Sequence, residues 1–245
     1  MCKKADASMR LDRLLSQLAL GSRAQVRDLI KSGRIRVNDQ TVRSAEFHVA
    51  PGDLIFFDGQ TIDARVSRHI MLNKPMGVLT AARDPKQPTV LDLLPAAYKA
   101  CGCMPVGRLD KDTEGLLLLT TDGELAHRLL SPKRSVWKCY YAQVDQPLST
   151  DDITAFEQGI SLSDFTTLPA RLEIDPAVPE RTAARAWVSE GKFHQVRRMF
   201  AALGKNVLFL KRLSVGPLEL DPALAPGAFR ELTEEELQSL IQAVT

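Results

Sequence analysis

The sequence predicts an α+β protein, with a small N-terminal ααβ-type module preceding a larger domain whose mainly antiparallel sheet is flanked by helices. Three observations carry this expectation. Two short amphipathic runs on either side of Gly21 open the chain, strand-like stretches outnumber helical ones further on, and the connections look too short for crossover helices. At 245 residues, 44% hydrophobic and 25% charged, the chain can bury a sizeable core and exceeds one ordinary domain. The spacing places the module at residues 9–60 and the larger domain at 67–245.

Residues 1–8 read as a loose tail. MRLDRLLSQLAL then sets Leu11, Leu14, Leu15 and Leu18 at helical spacing, with Arg10, Arg13 and Gln17 off that face. Gly21 ends this helix, Ser22 is placed to cap the next, SRAQVRDLIKSG, and Gly33 stops it. IRVNDQTV reads as two short strands around an Asn38-Asp39 turn, and LIFF as a third before Asp58-Gly59. Arg23 and Arg27 share one helix face with Lys31 a turn further on, while Arg34 and Arg36 point to one side of a strand. The polar stretch 61–69 reads as a linker.

In the larger domain, IMLNKPMGVLT is an apolar strand broken at Lys74-Pro75 and Gly77, and QPTVLDLLP suggests a short helix between prolines. DGELAHRLLSP is a helix ended by Pro132. WKCYYAQV and AARAWVSEGK read as strands, HQVRRMFAALG as a helix closed by Gly204, and NVLFLKRLSVGPLEL as a strand pair. Thr233 with Glu236 forms a capping box for the last helix. Phe193 and Phe200 are expected to pack rather than to stack on a ligand.

Composition excludes several classes. No apolar run approaches the ~20 residues of a membrane span, and MCKKADASMRLDRLL lacks the apolar core and cleavage site of a signal peptide, so cytoplasmic residence is expected. Cys2, Cys101, Cys103 and Cys139 have no metal-ligand spacing and are expected as free thiols. His48, His69 and His127 lack partners at useful spacing and suit surface or helix-end positions. Net charge is only +2, yet it is uneven: eight Lys or Arg against three acids from Arg10 to Arg43, and six against one from Glu190 to Arg212. Two basic clusters in a near-neutral chain point to nucleic acid.

The stretch GRLDKDTEGLLLLT, residues 107–120, sets Asp110, Asp112 and Glu114 directly before a buried-strand signal. A turn at Gly107-Arg108 would hold Asp110 near the chain reversal, partly shielded, as suits a nucleophile or base. Composition alone does not choose among the three acids.

Two resemblances do. Arg10-Leu11-Asp12, Ser22-Arg23, Leu29-Ile30 and Val37-Asn38 resemble the pattern of the small RNA-binding module typified by ribosomal protein S-four, over residues 9–60. GRLD at 107–110 resembles the signature of the pseudouridine synthases, in the branch that modifies ribosomal RNA and carries such a module. LNKPMGVLT (72–80), KCY (138–140), EGKFHQVRRMF (190–200) and LKRLSVGPLEL (210–220) match further motifs of that family in order and spacing.

The resemblance implies a catalytic site of Asp110, Tyr140 and a basic partner of the aspartate, Arg197, with Arg198 as second choice. Asp112 and Glu114 then fall back to loop and surface roles. It implies RNA contacts from Arg10, Arg23, Arg27, Lys31, Arg34, Arg36, Lys192, His194 and Arg198. The reaction is an isomerisation: the bond from ribose to a uracil nitrogen breaks and the base rejoins through carbon 5, so no metal or cofactor is implied. The implied partner of this expected monomer is ribosomal RNA, with 16S favoured over 23S by the EGKFHQVRRMFAALG segment and the LTEEEL tail. A non-catalytic ribosome-assembly factor would not need the Asp-Tyr-Arg trio. An aspartate glycosidase is disfavoured because the usual paired carboxylates are not evident.

Overall fold

The structure, a computed structural model, describes residues 8–65 and 67–245. The expected tail therefore lies, through residue 7, outside the described residues. Two compact units form: one runs to Arg68 and takes in Leu94–Met104, the other comprises His69–Leu93 and Pro105–Thr245.

In the first unit, β1 (Met9–Arg10) leads into α1 (Leu11–Gln17) and then α2 (Arg23–Lys31). Ser22 and Gln25 cap α2 reciprocally, satisfying two otherwise orphaned backbone donors. The buried faces, Leu11, Leu14 and Leu15 of α1 with Val26 and Ile30 of α2, share a core with Ile35, Val37 and Ile55. Those last three come from β2 (Ile35–Val37) and β5 (Ile55–Phe57), the centre of a sheet completed by β3 (Gln40–Thr41) and β6 (Gln60–Ile62). A separate strand, β4 (His48–Val49), pairs with β1. Asn38 and Asp58 take positive φ, 51° and 49°, which these residues tolerate at a tight turn. Strand β6 corrects the sequence reading, which began a linker at residue 61: Thr61 and Ile62 pair with Phe56 and Ile55. Helix α3 (Ala96–Ala100) also belongs to this unit.

The second unit is built on β7 (His69–Lys74) and, after a short strand β8 (Met104–Pro105), on β9 (Glu114–Thr120), β10 (Lys138–Val144), β11 (Arg171–Ile174), β12 (Ala183–Val188), β13 (Val207–Val215), β14 (Leu218–Glu219) and β15 (Phe229–Glu231). The sheet runs β11-β12-β10-β13-β9-β7-β15, with β14 on β13. Only β9 with β13 is parallel among these pairs. The Leu run of β9 is buried on both faces, which explains its lack of alternation.

Helices α4 (Gly123–Leu130) and α7 (Glu234–Ala243) cover one region of the sheet. Leu125 and Leu129 of α4 and Leu240 of α7 pack with Leu116 and Leu118 of β9. Thr233 and Glu236 form the expected capping box of α7. Two further helices, α5 (Thr150–Gln158) and α6 (Gln195–Ala202), meet through Phe156 and Phe200, whose ring centroids lie 5.1 Å apart. The sequence reading missed α5, β11 and β15. The QPTVLDLLP segment forms a 3-10 turn over Val90–Leu93, too short for an α-helix.

Phe200 is fully buried, but Phe193 is 70% exposed, so the expectation that both pack fails for Phe193. It precedes the first turn of α6, where no element covers it.

Candidate active site and nucleic-acid interface

The segment before β9 is tied down at nearly every residue. Thr80 Oγ1 donates to the Leu109 carbonyl at 2.7 Å and accepts from the Leu109 amide at 3.2 Å. Gly77 N–H donates to the Lys111 carbonyl at 2.8 Å, and Thr113 N–H to that of Asp110 at 3.1 Å. Lys74, 0% exposed, donates through Nζ to the carbonyls of Pro75 (3.0 Å), Lys111 (3.2 Å) and Thr113 (2.9 Å). Burial pulls the Lys74 ammonium down to about 8, while the carboxylates of Asp112, Asp110 and Glu114 pull the other way. A reversal held from beneath by carbonyl contacts leaves the Asp110 side chain partly open, 27% exposed.

Asp110 lines a cleft of about 320 Å³ together with Lys138, Tyr140, His194, Arg197 and Arg212. Lys138 and Tyr140, two apart on β10, share a face of the sheet. On β13 the register shifts by one residue, so Cys139 faces Ser214 while Tyr140 faces Arg212. That bulge skips Leu213 and brings Arg212 onto the face that carries Tyr140. Arg212 is 4% exposed and its Nε donates to the Leu116 carbonyl at 2.8 Å. Lys138 donates to the carbonyls of Val136 (2.7 Å) and Ser189 (3.3 Å). Burial first, and repulsion from Arg212 second, lower its ammonium to about 8.

Gly115 makes this arrangement possible. It pairs with Arg212 across the parallel β9–β13 contact at φ 103°, and a Cβ there would stand 2.2 Å from the Arg212 carbonyl oxygen.

The expected pair of Asp110 with Arg197 does not form. From the first turn of α6, Arg197 reaches Asp112 instead: its Nη2 lies 3.0 Å from the carboxylate and 3.2 Å from the carbonyl, and Nη1 donates to Val207 at 3.0 Å. Asp112 is thus more than a loop charge, since it ties the loop to α6. Nor does the second choice serve, because Arg198 pairs with Asp164 and lies over the Phe165 ring. The residue that does approach Asp110 is His194, just before α6, Nε2 to Oδ1 at 3.4 Å, from a left-handed backbone at φ 49°. Lys192, also on the cleft, sits 3.6 Å above the Phe165 ring. The segment is set by buried Gln195, which donates to Glu190 at 3.0 Å and accepts from the Lys192 amide at 3.1 Å.

In the first unit, Arg10, Arg13, Arg23 and Arg27 line a groove of about 550 Å³ between α1 and α2. Arg10 bonds Asp12 at 2.9 and 3.1 Å, and Arg27 stands 3.9 Å from the same carboxylate. Arg13, which the sequence reading left out of the interface, and Arg23 make no ion pair among the described residues. Arg34 and Arg36 lie outside this groove, over the rings of Phe57 and Phe56 at 4.7 and 4.1 Å. Lys31 is exposed at the end of α2.

Sequence reasoning gave no role to Lys74, Thr80, Lys138 or Arg212. A lysine in the apolar IMLNK run, and another two residues before Tyr140, were visible signals. Arg212 lay inside the matched LKRLSVGPLEL stretch, but strict alternation along β13 does not predict the bulge that turns it to the cleft.

Comparison with known proteins agrees with this architecture. A family model described as RNA pseudouridylate synthase matches residues 68–202, and one described as S4 domain matches residues 9–55. The chain is 45% identical over 234 residues to a Bacillus subtilis protein named as the uncharacterized RNA pseudouridine synthase YtzG, covering 95% of this chain and 98% of the relative. It is 39% identical over 236 residues to the ribosomal small subunit pseudouridine synthase A of Escherichia coli K12, covering 95% and 100%. A crystal structure of a pseudouridylate synthase superposes with a TM-score of 0.66 at 33% identity, over 95% of this chain and 100% of the other.

Proposed function

The chain belongs to the RNA pseudouridylate synthase family, and from that premise we propose that it converts a uridine of ribosomal RNA to pseudouridine, in 16S rather than 23S rRNA, through Asp110. The observation that carries this reading is the cleft in which Asp110, Tyr140 and Arg212 face one volume. The 39% identity to the Escherichia coli small-subunit enzyme, over 95% of this chain, supports 16S as substrate.

The chemistry suits those side chains. The bond from the ribose anomeric carbon to uracil N1 breaks, one from that carbon to C5 forms, and the proton leaves C5 as N1 gains one. Asp110 either bonds covalently to the detached centre or stabilises the positive charge developing on ribose. Arg212, rather than Arg197, is the buried guanidinium that faces the same cleft as Asp110 and supplies positive charge there. Tyr140 offers a flat face to the extruded uracil and a hydroxyl for removal of the C5 proton. Extrusion costs a few kcal/mol of unstacking, offset by contacts to RNA from Lys192 and His194 and from the arginine groove of the module at residues 9–60. The protein acts as a monomer in the cytoplasm, where its substrate is made.

Purified protein incubated with unmodified 16S and 23S rRNA, followed by mapping of pseudouridine, tests this directly. One new site in 16S is expected, lost in Asp110→Asn while RNA binding persists. Conversion confined to 23S would overturn the choice of subunit, and full activity of D110N would overturn the role of Asp110.

A further inference from the structure

We propose that Phe193 is a stacking platform for a nucleotide flanking the reacting uridine, an inference that rests on the function proposed above. Phe193 is 70% exposed, the most open of the large apolar side chains among the described residues, whereas Phe200 on the same segment is fully buried. An isolated surface Phe needs no explanation, but this one is ordered by its neighbour. Its ring lies on the His194 imidazole with centroids 3.8 Å apart and planes inclined by 17°.

That imidazole in turn stands 3.4 Å from the Asp110 carboxylate. Two stacked rings therefore lead from the reactive carboxylate to open solvent, the outer one 70% exposed. His194 holds this pose at φ 49°, in the sparsely populated left-handed region, and its side chain makes no capping bond to the helix that follows. The ring has a positional role beside Asp110 that a helix cap would not require.

Charge favours RNA over a protein surface as the occupant. Lys192 and His194, on either side of Phe193 in the chain, line the Asp110 cleft with Arg197, and the segment 190–212 carries six cations to one acid. Drawing a uridine into the cleft removes the stacking partner of each adjacent base. The open face of Phe193 replaces one such partner, and it does so for any base because every base has a π-face. Such a stack is worth roughly five- to a hundredfold in affinity.

The test is release of tritium from 16S rRNA labelled at uridine C5, free or bound by small-subunit proteins, by wild type, Phe193→Leu and Phe193→Trp. F193L keeps apolar bulk without a π-face, and kcat/KM is expected to fall about tenfold or more. F193W restores a face and should stay within about threefold of wild type. Both variants should keep the wild-type thermal midpoint, since the side chain is outside the core. Wild-type turnover in F193L, or equal loss in F193L and F193W, would overturn the platform while leaving the enzyme's function intact. If wild type released no tritium from 16S or 23S rRNA, the underlying reading would fail and the inference with it.

Discussion

Tyr140 and Arg212 face each other across β10 and β13 because one residue, Leu213, is skipped in the pairing. The bulge converts an arginine that regular alternation would aim away into a buried cation of the cleft, beside Lys138. Its guanidinium is fixed by Nε at the Leu116 carbonyl, so an ammonium could not replace it atom for atom.

Arg212→Ala and Arg212→Lys are both expected to lower single-turnover conversion of 16S rRNA by about a hundredfold or more. Arg197→Ala should cost less and act through the 110–113 loop, because its partner is Asp112. A larger loss in R197A than in R212A would return the role to Arg197.

Thr80 is expected to matter through geometry alone. Its hydroxyl both donates to and accepts from Leu109, one residue before Asp110. Thr80→Val leaves that backbone unpaired at a cost of about 1–3 kcal/mol, with kcat falling and RNA affinity unchanged, whereas Thr80→Ser should restore turnover. A T80V enzyme with normal kcat would show that Asp110 is positioned without this contact.

Gly115→Ala combines a Cβ placed 2.2 Å from the Arg212 carbonyl with φ 103°. The expected loss is roughly 3 kcal/mol or more, visible as a lowered midpoint in chemical denaturation. Near wild-type stability would mean that β9 and β13 separate more easily than their pairing suggests.

Lys74 sets a pH dependence of known sign. Its ammonium is lowered to about 8 by burial, below the ordinary lysine value near 10.4. Between these values the unfolded chain binds more protons than the native one, so stability contributed at this site rises with pH from about 8 to about 10.5. Thermal midpoints of wild type, compared with Lys74→Met over that range, should show wild type gaining on the variant. A flat or falling difference would contradict a buried ammonium.

The arginine groove is expected to bind phosphate. Arg13→Ala with Arg23→Ala should weaken binding to 16S rRNA and reduce the slope of log affinity against log salt by about 1.5. An unchanged slope would place RNA elsewhere on the module.

Much of this protein was legible before folding. The two capped helices of the module follow from local chemistry: Leu spacing, Ser22 with Gln25, and a Gly stop. The capping box at Thr233 and the buried run Leu116–Leu119 are equally local. Asp110 stood out through GRLD, and Tyr140 through KCY, because each motif is contiguous. The sequence by itself thus determined the class of fold, the family and the motifs that carry Asp110 and Tyr140. Only tertiary structure decided that Arg212 and Lys138 join the Asp110 cleft, that Arg197 binds Asp112, that Lys74 and Thr80 hold the loop, and that Phe193 stays outside the core. Each of these depends on register or on contact between residues far apart in the chain. One skipped residue in a strand pair reverses which side chains face the site, and nothing in the strand's own alternation records it.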